Sequence, residues 1–329
     1  MFRWGILSTA KIAREQVIPA IMEVENGVLA AIASRDLGRA QALATRFGAP
    51  HAFGSYEELL ASDVVDGVYI PLPTSQHIEW TLKAIEAGKH VLCEKPMALK
   101  ASEIEPLVAA RDKAGVLVSE AFMVEHHPQW TKVRELIEAG AIGTLKHVQG
   151  AFTYYNVDPN NMRNKPELGG GGLPDIGVYP VVTARIATKA EPLQAIARIE
   201  RDPTFGTDVY ADCRLRFADF DMTFYVATQM APRQVMVFHG DKGFIEVETP
   251  FNVGGYGFAT VRLEDQAHGH GEVFRFGGAN QYRLEVEAFA RKAAGEDAIH
   301  FTLESSIANQ RAIDAFYRAD QSGAWEAVG

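Results

Sequence analysis

The sequence predicts an α/β chain in two parts: a doubly wound parallel sheet first, then an α+β domain on an open-faced, mainly antiparallel sheet. Three observations predict it. Up to about residue 120, short apolar or β-branched runs alternate with single helical segments, which is the rhythm of βαβ units. After about residue 140, strand-like runs are joined by turns of hairpin length, as antiparallel neighbours are. The 329 residues also exceed what one ordinary core organises. A division into 1–120 and 121–329 follows.

In the first part, Trp4–Leu7 reads as a strand and Lys11–Val24 as a helix bent at Pro19, since proline removes a helical donor. Val28–Ser34 is a strand, Leu37–Phe47 a helix, and His51–Phe53 a short edge strand. Ser55 is placed to cap the next helix, with Glu58 completing a capping box. Gly67–Ile70 and His90–Cys93 are buried strands flanking a helix over Thr74–Ala87; Lys100–Ala114 is a helix and Val116–Ser119 the last strand. In the second part Lys146–Tyr154 alternates like a half-buried strand. Further strands fall at Val209–Phe217, Met222–Thr228, Gln234–Phe238 and Gly243–Glu248, with turns at Ala218-Asp219 and Gly240-Asp241-Lys242. Helical patterns return at Tyr282–Ala294 and Leu303–Ser322, packing back on one of the domains. A ligand site is expected between the domains, at the carboxyl ends of the parallel strands.

Composition narrows the function. A net charge of −10 lacks the basic footprint that nucleic acid or an anionic membrane requires. No apolar run approaches the roughly 20 residues that span a bilayer. The first residues run straight into a strand, leaving no room for a signal peptide. The two cysteines, Cys93 and Cys213, belong to no metal or CxxC pattern and read as reduced and buried in a cytoplasmic protein. His126-His127 and His268-Gly-His270 have no metal-ligand spacing, so no metal is expected.

The turn after the first strand carries the first chemistry. Gly5, Ser8, Thr9, Ala10, Lys11 and Ile12 lie where small residues let backbone amides approach a pyrophosphate at a helix N-terminus. At the end of the second strand, Ser34 and Arg35, with Arg39 a turn later, suit a ribose 2′-phosphate. NADP is therefore expected, with NAD possible. Asp36 either serves a ribose hydroxyl or caps the following helix.

Three segments carry a resemblance: Ile70-Pro71-Leu72-Pro73-Thr74-Ser75-Gln76-His77, His90-Val91-Leu92-Cys93-Glu94-Lys95-Pro96, and Gly169-Gly170-Gly171-Gly172-Leu173-Pro174-Asp175-Ile176-Gly177-Val178-Tyr179-Pro180. In this order and spacing they resemble the glucose–fructose oxidoreductase/inositol dehydrogenase (Gfo/Idh/MocA) family over essentially the whole chain. The dimeric dihydrodiol dehydrogenase and NADP-dependent aldose dehydrogenase branch looks nearest, because it too has Tyr where inositol dehydrogenases carry His. The resemblance implies a Rossmann domain, a bound nicotinamide, and a homodimer or homotetramer formed through the C-terminal sheet. It assigns cofactor contacts to Pro71, Leu72, Pro73, Thr74, His77, Glu94 and Lys95. It also assigns the segment with Glu120, Phe122 and His127 to the substrate pocket, and Asn161 and Arg163 to a loop over it.

The residues make chemical sense together. An ammonium at Lys95 can stabilise developing alkoxide charge. Asp175 and Tyr179, four apart, share one helical face. Tyrosine titrates near ~10 unperturbed, too high for a base at neutral pH; a nearby Lys95 favours the phenolate. Tyr179 is the expected proton carrier and Asp175 the orienting carboxylate. The expected substrate is a sugar or polyol, with aldose 1-dehydrogenation first and keto-sugar reduction or trans-dihydrodiol oxidation as alternatives. A non-catalytic nucleotide sensor and a nicotinamide-dependent glycosidase are the competing classes.

Overall fold

The computed structural model describes residues 1–255 and 257–329. It separates into two compact units, Met1–His126 with Asn280–Ile307, and His127–Ala279 with Ala308–Gly329.

The first unit begins with β1 (Phe2–Leu7), followed by a wide helical turn, Ala13–Val17, that runs into α1 (Ile18–Glu23). Next come β2 (Gly27–Ala33), α2 (Leu37–Phe47), β3 (His51–Phe53) and α3 (Tyr56–Ala61). The series ends with β4 (Gly67–Ile70), α4 (His77–Glu86), β5 (His90–Glu94), α5 (Ala101–Ala114) and β6 (Val118–Ala121). Among the described residues these strands form one sheet in the order β3-β2-β1-β4-β5-β6, every pair parallel. The order reverses between β1 and β4, and in such sheets ligands bind at the carboxyl ends beside that reversal.

Strands covered on both faces must be apolar throughout. Trp4, Ile6 and Ile32 face one layer, where the ring of Phe289 lies 5.1 Å from that of Trp4. Leu7, Val68, Ile70 and Val91 face the other. Each fully buried side chain of this size contributes about 1.5–3 kcal/mol. Ser55 caps α3 by accepting from Glu58 N–H at 3.1 Å, while the Glu58 carboxylate reaches back to Gly54 N–H instead of Ser55. The expected bend at Pro19 is replaced by the wide turn before it. Pro19 sits in the first turn of α1, where a missing N–H costs nothing.

The second unit contains α6 (Pro128–Glu138), β7 (Leu145–Tyr155) and α7 (Val178–Thr188). Strands β8 (Gln194–Arg201), β9 (Asp208–Arg216), β10 (Asp221–Ala227), β11 (Gln229–Gly240) and β12 (Gly243–Val247) follow. Then come β13 (Ala259–Asp265) and β14 (Gly271–Phe276). The chain next forms α8 (Gln281–Ala293), which carries Phe289 into the first unit's core, and α9 (Leu303–Ser322), before closing with β15 (Glu326–Ala327). The sheet order is β14-β13-β12-β11-β7-β10-β9-β8-β15 among the described residues. The expected turns at Ala218-Asp219 and Asp241-Lys242 do join antiparallel neighbours. Strand β7 pairs in parallel with β10, which makes the sheet mixed. β8, β13, β14 and β15 were not expected; β8 and β14 carry charges on exposed positions, which weakens the apolar alternation.

Helix α7 is buried from Val178 to Arg185. It settles on the sheet because Gly150 in β7 has no side chain: a Cβ there would stand 3.4 Å from Pro180 Cβ and 2.8 Å from Met236 Sδ. Cys93 and Cys213 are buried free thiols, as expected. Among the described residues no helix is long and apolar enough to cross a membrane.

Candidate functional site

In the first unit, the turn after β1 brings Ser8, Thr9, Ala10, Lys11 and Ile12 to the start of the helical segment, and the Ser8 N–H donates to the Ala33 carbonyl at 3.0 Å. Ser8 adopts φ 127°, a region that favours glycine, and its Oγ accepts from Ala10 N–H at 3.2 Å. Gly5 lies within β1, where a Cβ would press on Leu59, Val65 and Val68 at 3.0–3.3 Å. Its smallness therefore serves helix–sheet packing first.

At the end of β2, Ser34 is buried and its Oγ accepts from Asp36 N–H at 3.3 Å. Asp36 caps α2, accepting from Arg39 N–H at 3.1 Å. Arg35 is exposed and makes no ion pair among the described residues, while Arg39 approaches Asp36 at 3.8 Å. A hydroxyl and two guanidiniums with the local carboxylate turned to a helix end form a donor set that fits a phosphate monoester.

Two loops leave the carboxyl ends of β4 and β5. Pro71, Leu72, Pro73 and Thr74 form the first; Thr74 and Leu72 are buried. The second, Lys95-Pro96-Met97, follows Glu94 and begins with a cis peptide bond at Lys95–Pro96. Glu94 Oε1 accepts from the Tyr69 hydroxyl at 2.5 Å; burial and that carboxylate push the Tyr69 phenol well above its ordinary range. His77, expected among the cofactor contacts, is 1% exposed, with Nδ1 2.8 Å from Pro96 O and Nε2 2.8 Å from Leu72 O. Burial lowers its pKa, against the two carbonyls, which raise it. Glu120 is buried too and accepts from Met97 N–H at 2.8 Å. Burial raises its carboxyl to about 7. Phe122 is fully buried against Phe301, ring centroids 4.7 Å apart. Glu120 and Phe122, expected at the substrate, are thus taken up within the unit's own packing.

In the second unit the glycine run makes a sharp turn and close approaches whose partners are protein groups. A Cβ on Gly170 would meet the Arg163 carbonyl at 2.5 Å. Gly171 has φ 139° and its Cβ would collide with the Asp208 carboxylate. Asp208 Oδ2 accepts from Leu173 N–H at 2.6 Å and Oδ1 from the Tyr317 hydroxyl at 2.8 Å. This anchors the wide helical turn Leu173–Gly177, which carries Asp175 and leads into α7 with Tyr179.

Asp175 Oδ2 accepts from Arg163 Nε at 2.6 Å and from the Tyr154 hydroxyl at 2.8 Å. The carboxylate raises the Arg163 pKa, and Tyr179 contributes to the same attraction. Burial and Asp175 push Tyr154 far above the ordinary phenol range. Tyr179 is 5% exposed, its ring 5.7 Å from Phe152 and 5.5 Å from Phe251. Asn161 caps the short turn before Asn164 by accepting from Arg163 N–H at 3.0 Å. His127 is fully buried and caps α6, Nδ1 accepting from Gln129 N–H at 3.2 Å. The sequence reading missed Tyr154, Tyr69, Asp208 and Tyr317. Tyr154 ends an alternating strand, but nothing in its spacing indicated a shared carboxylate. Among the described residues no group of His, Cys, Asp and Glu is arranged to hold a metal ion.

The chain matches two family models: the oxidoreductase family, NAD-binding Rossmann fold, GFO_IDH_MocA, over residues 2–122, and the GFO/IDH/MocA C-terminal domain over residues 130–246. An uncharacterized oxidoreductase, ORF334, of Rhizobium meliloti is 40% identical over 100% of this chain and 99% of its own length. A D-xylose 1-dehydrogenase (NADP(+)) of Haloferax volcanii is 36% identical, covering 98% of each chain. The crystal structure of KijD10, a 3-ketoreductase from Actinomadura kijaniata in complex with NADP and TDP-benzene, superposes with a TM-score of 0.89 at 29% identity over 97% of both chains. Structures of that reductase include variants at one lysine and one tyrosine, as far apart in its chain as Lys95 and Tyr179 are here.

Proposed function

The chain belongs to the GFO/IDH/MocA oxidoreductase family, and from that premise we propose that it is an NADP-dependent dehydrogenase of a sugar or polyol, aldose 1-dehydrogenation first. The observation that carries the reading is the arrangement around Tyr179: a phenol on an aromatic shelf, on the helix that follows Asp175, whose carboxylate holds the Arg163 guanidinium at 2.6 Å. Tyr179 takes the hydroxyl proton during oxidation and returns it during reduction. A guanidinium favours the phenolate, so Arg163 lowers the cost of Tyr179 acting as a base. Asp175 holds Arg163 and Tyr154, and Asn161 and Arg163 present donors and acceptors to vicinal hydroxyls. Lys95 donates to the substrate oxygen and stabilises charge as the C–O bond changes order. A nicotinamide held by these residues would supply the hydride acceptor or donor.

The 2′-phosphate is assigned to Ser34, Arg35 and Arg39, the pyrophosphate to the turn from Ser8 to Ile12, and the nicotinamide ribose side to Pro71–Thr74, Glu94 and Lys95. The D-xylose dehydrogenase supports the aldose reading and the ketoreductase supports keto-sugar reduction as the alternative. A nucleotide-binding domain of residues 1–120, with which Asn280–Ile307 shares a compact unit, and a substrate and oligomerisation domain drawn from residues 121–329 complete the proposal. It includes a cytoplasmic homodimer or homotetramer formed through the C-terminal sheet, whose strands expose Tyr155, Met230 and Val273.

The test is absorbance at 340 nm with NADP or NAD over aldoses, inositols and dihydrodiols, and with the reduced cofactors over keto-sugars. Turnover with NADP and one sugar class supports the reading. A tenfold preference for NAD (roughly 1.4 kcal/mol) overturns the cofactor assignment. Nucleotide binding without turnover anywhere favours a sensor.

A further inference from the structure

The Pro96–Met97 peptide, immediately after Lys95, is held at both ends by buried titratable side chains. His77 Nδ1 lies 2.8 Å from the Pro96 carbonyl oxygen. The Met97 N–H donates to Glu120 Oε1 at 2.8 Å. These are the C=O and N–H of one peptide group. The other His77 nitrogen, Nε2, lies 2.8 Å from the Leu72 carbonyl oxygen, so the same ring ties the loop after β4 to the loop after β5. His77 and Glu120 are 1% and 3% exposed.

The partners dictate the protonation each side chain needs. A carbonyl only accepts, so a proton on both His77 nitrogens would satisfy both contacts, whereas neutral imidazole, which burial favours, donates to one of them. The ring suits this place as an imidazolium. Glu120 accepts an amide proton and suits it as a carboxylate. Opposite charges then bracket one peptide dipole, and each charge-assisted bond is stronger than a neutral one. Lys95 acts on both groups, disfavouring the imidazolium and favouring the carboxylate; Glu94 opposes the carboxylate, the Ser306 hydroxyl favours it, and the neighbouring Cys93 thiol is held neutral by burial. Burial opposes both charged forms.

We propose that His77 and Glu120 are a positioning pair: by fixing the peptide after Lys95 and tying it to the Leu72 carbonyl, they aim Lys95 for the chemical step without touching substrate or nucleotide. This rests on Lys95 acting in catalysis, as argued above.

The experiment uses full-length protein labelled with 15N at methionine and histidine, the Met97 signal being identified by its loss in Met97→Leu. Between about pH 5 and about 9 the Met97 amide proton should move with an inflection near 7 that is lost in Glu120→Gln, and both His77 nitrogens should be protonated at the acidic end. In steady-state assays Glu120→Ala and His77→Phe should lose about tenfold or more in kcat, with NADPH affinity by fluorescence quenching changed less than about threefold. Glu120→Gln, which keeps an acceptor, should recover most of kcat and lose the inflection. Wild-type kcat in folded Glu120→Ala overturns the pair's role, as does a parallel loss of kcat and NADPH affinity, which would mark cofactor contacts. A static Met97 amide overturns the clamp even where a variant does not fold. An inactive wild type with a titrating Met97 would instead count against the catalytic reading and leave the clamp standing.

Discussion

Tyr154 and Arg163 meet on one oxygen of Asp175, at 2.8 and 2.6 Å. The carboxylate therefore fixes a guanidinium that is also attracted to Tyr179. Removing the cation should raise the Tyr179 pKa. In the direction that needs a phenolate, Arg163→Leu should move the rising limb of the pH–rate profile upward by about one unit or more. An unmoved limb would separate Arg163 from the proton transfer. Asp175→Asn should move the limb less than Arg163→Leu, because release of Arg163 disfavours the phenolate while loss of the anion favours it.

Tyr179 invites two substitutions that separate chemistry from packing. Its ring rests against Phe152 and Phe251, and phenylalanine keeps that contact. Tyr179→Phe should lower kcat by about 100-fold or more with little change in urea midpoint. Tyr179→Ala should destabilise by about 3 kcal/mol through the cavity it leaves. Near-normal turnover in Tyr179→Phe would reduce Tyr179 to a structural ring.

Ser8 stands in a glycine-favouring conformation at φ 127°. Such a non-glycine position stores about 1–3 kcal/mol, and the Ala10 amide bond returns part of it. Ser8→Gly should therefore raise stability modestly, and a β-branched Ser8→Val should lower it by more than about 1 kcal/mol. Chemical denaturation of the two variants checks the order; a destabilised glycine variant would mean that the hydrogen bond outweighs the strain.

The legible and the illegible parts of this chain differ in range. Runs such as Gly67–Ile70 and His90–Cys93 announce buried parallel strands because both faces must be apolar, and the short caps at Asp36 and Ser55 act over three residues. Lys95, Asp175 and Tyr179 stood out because they sit in dense local motifs. By contrast, Asp208 meets Leu173 from 35 residues away and Tyr317 from 109, and no local pattern reports such a meeting. The same distance hides the parallel pairing of β7 with β10. His77 and Glu120 were recognised as special, but their targets are backbone groups, which carry no sequence signature.

Gly171 tests how much that hidden contact matters. An alanine there needs φ 139° and places Cβ against the Asp208 carboxylate. Gly171→Ala should destabilise by about 2–4 kcal/mol, combining strain with displacement of a buried charge. Gly48→Ala is the control, since its Cβ meets nothing within 4 Å at a helix end with φ 71°; it should lose only about 1 kcal/mol. Equal losses in urea unfolding would show that backbone conformation alone governs both positions.

His127 provides a pH test with a defined sign. Its Nδ1 accepts the Gln129 N–H, which only an unprotonated nitrogen can do. Burial lowers its pKa from 6.5 to about 4. A folded-state value below the unfolded one means that its contribution is complete above about 6.5 and is lost as pH falls toward 4. His126, also lowered to about 4, adds in the same direction. Glu120 has the opposite sign, its contribution fading as pH rises through about 7, so the total profile alone cannot isolate one group. His127→Asn keeps a capping acceptor and removes the titration. The stability lost by the wild type between about pH 7.5 and about 5 should exceed that of the variant by up to about 2 kcal/mol. Parallel curves from urea titrations would mean that His127 opens to solvent or moves on protonation, and that its burial does not govern acid stability.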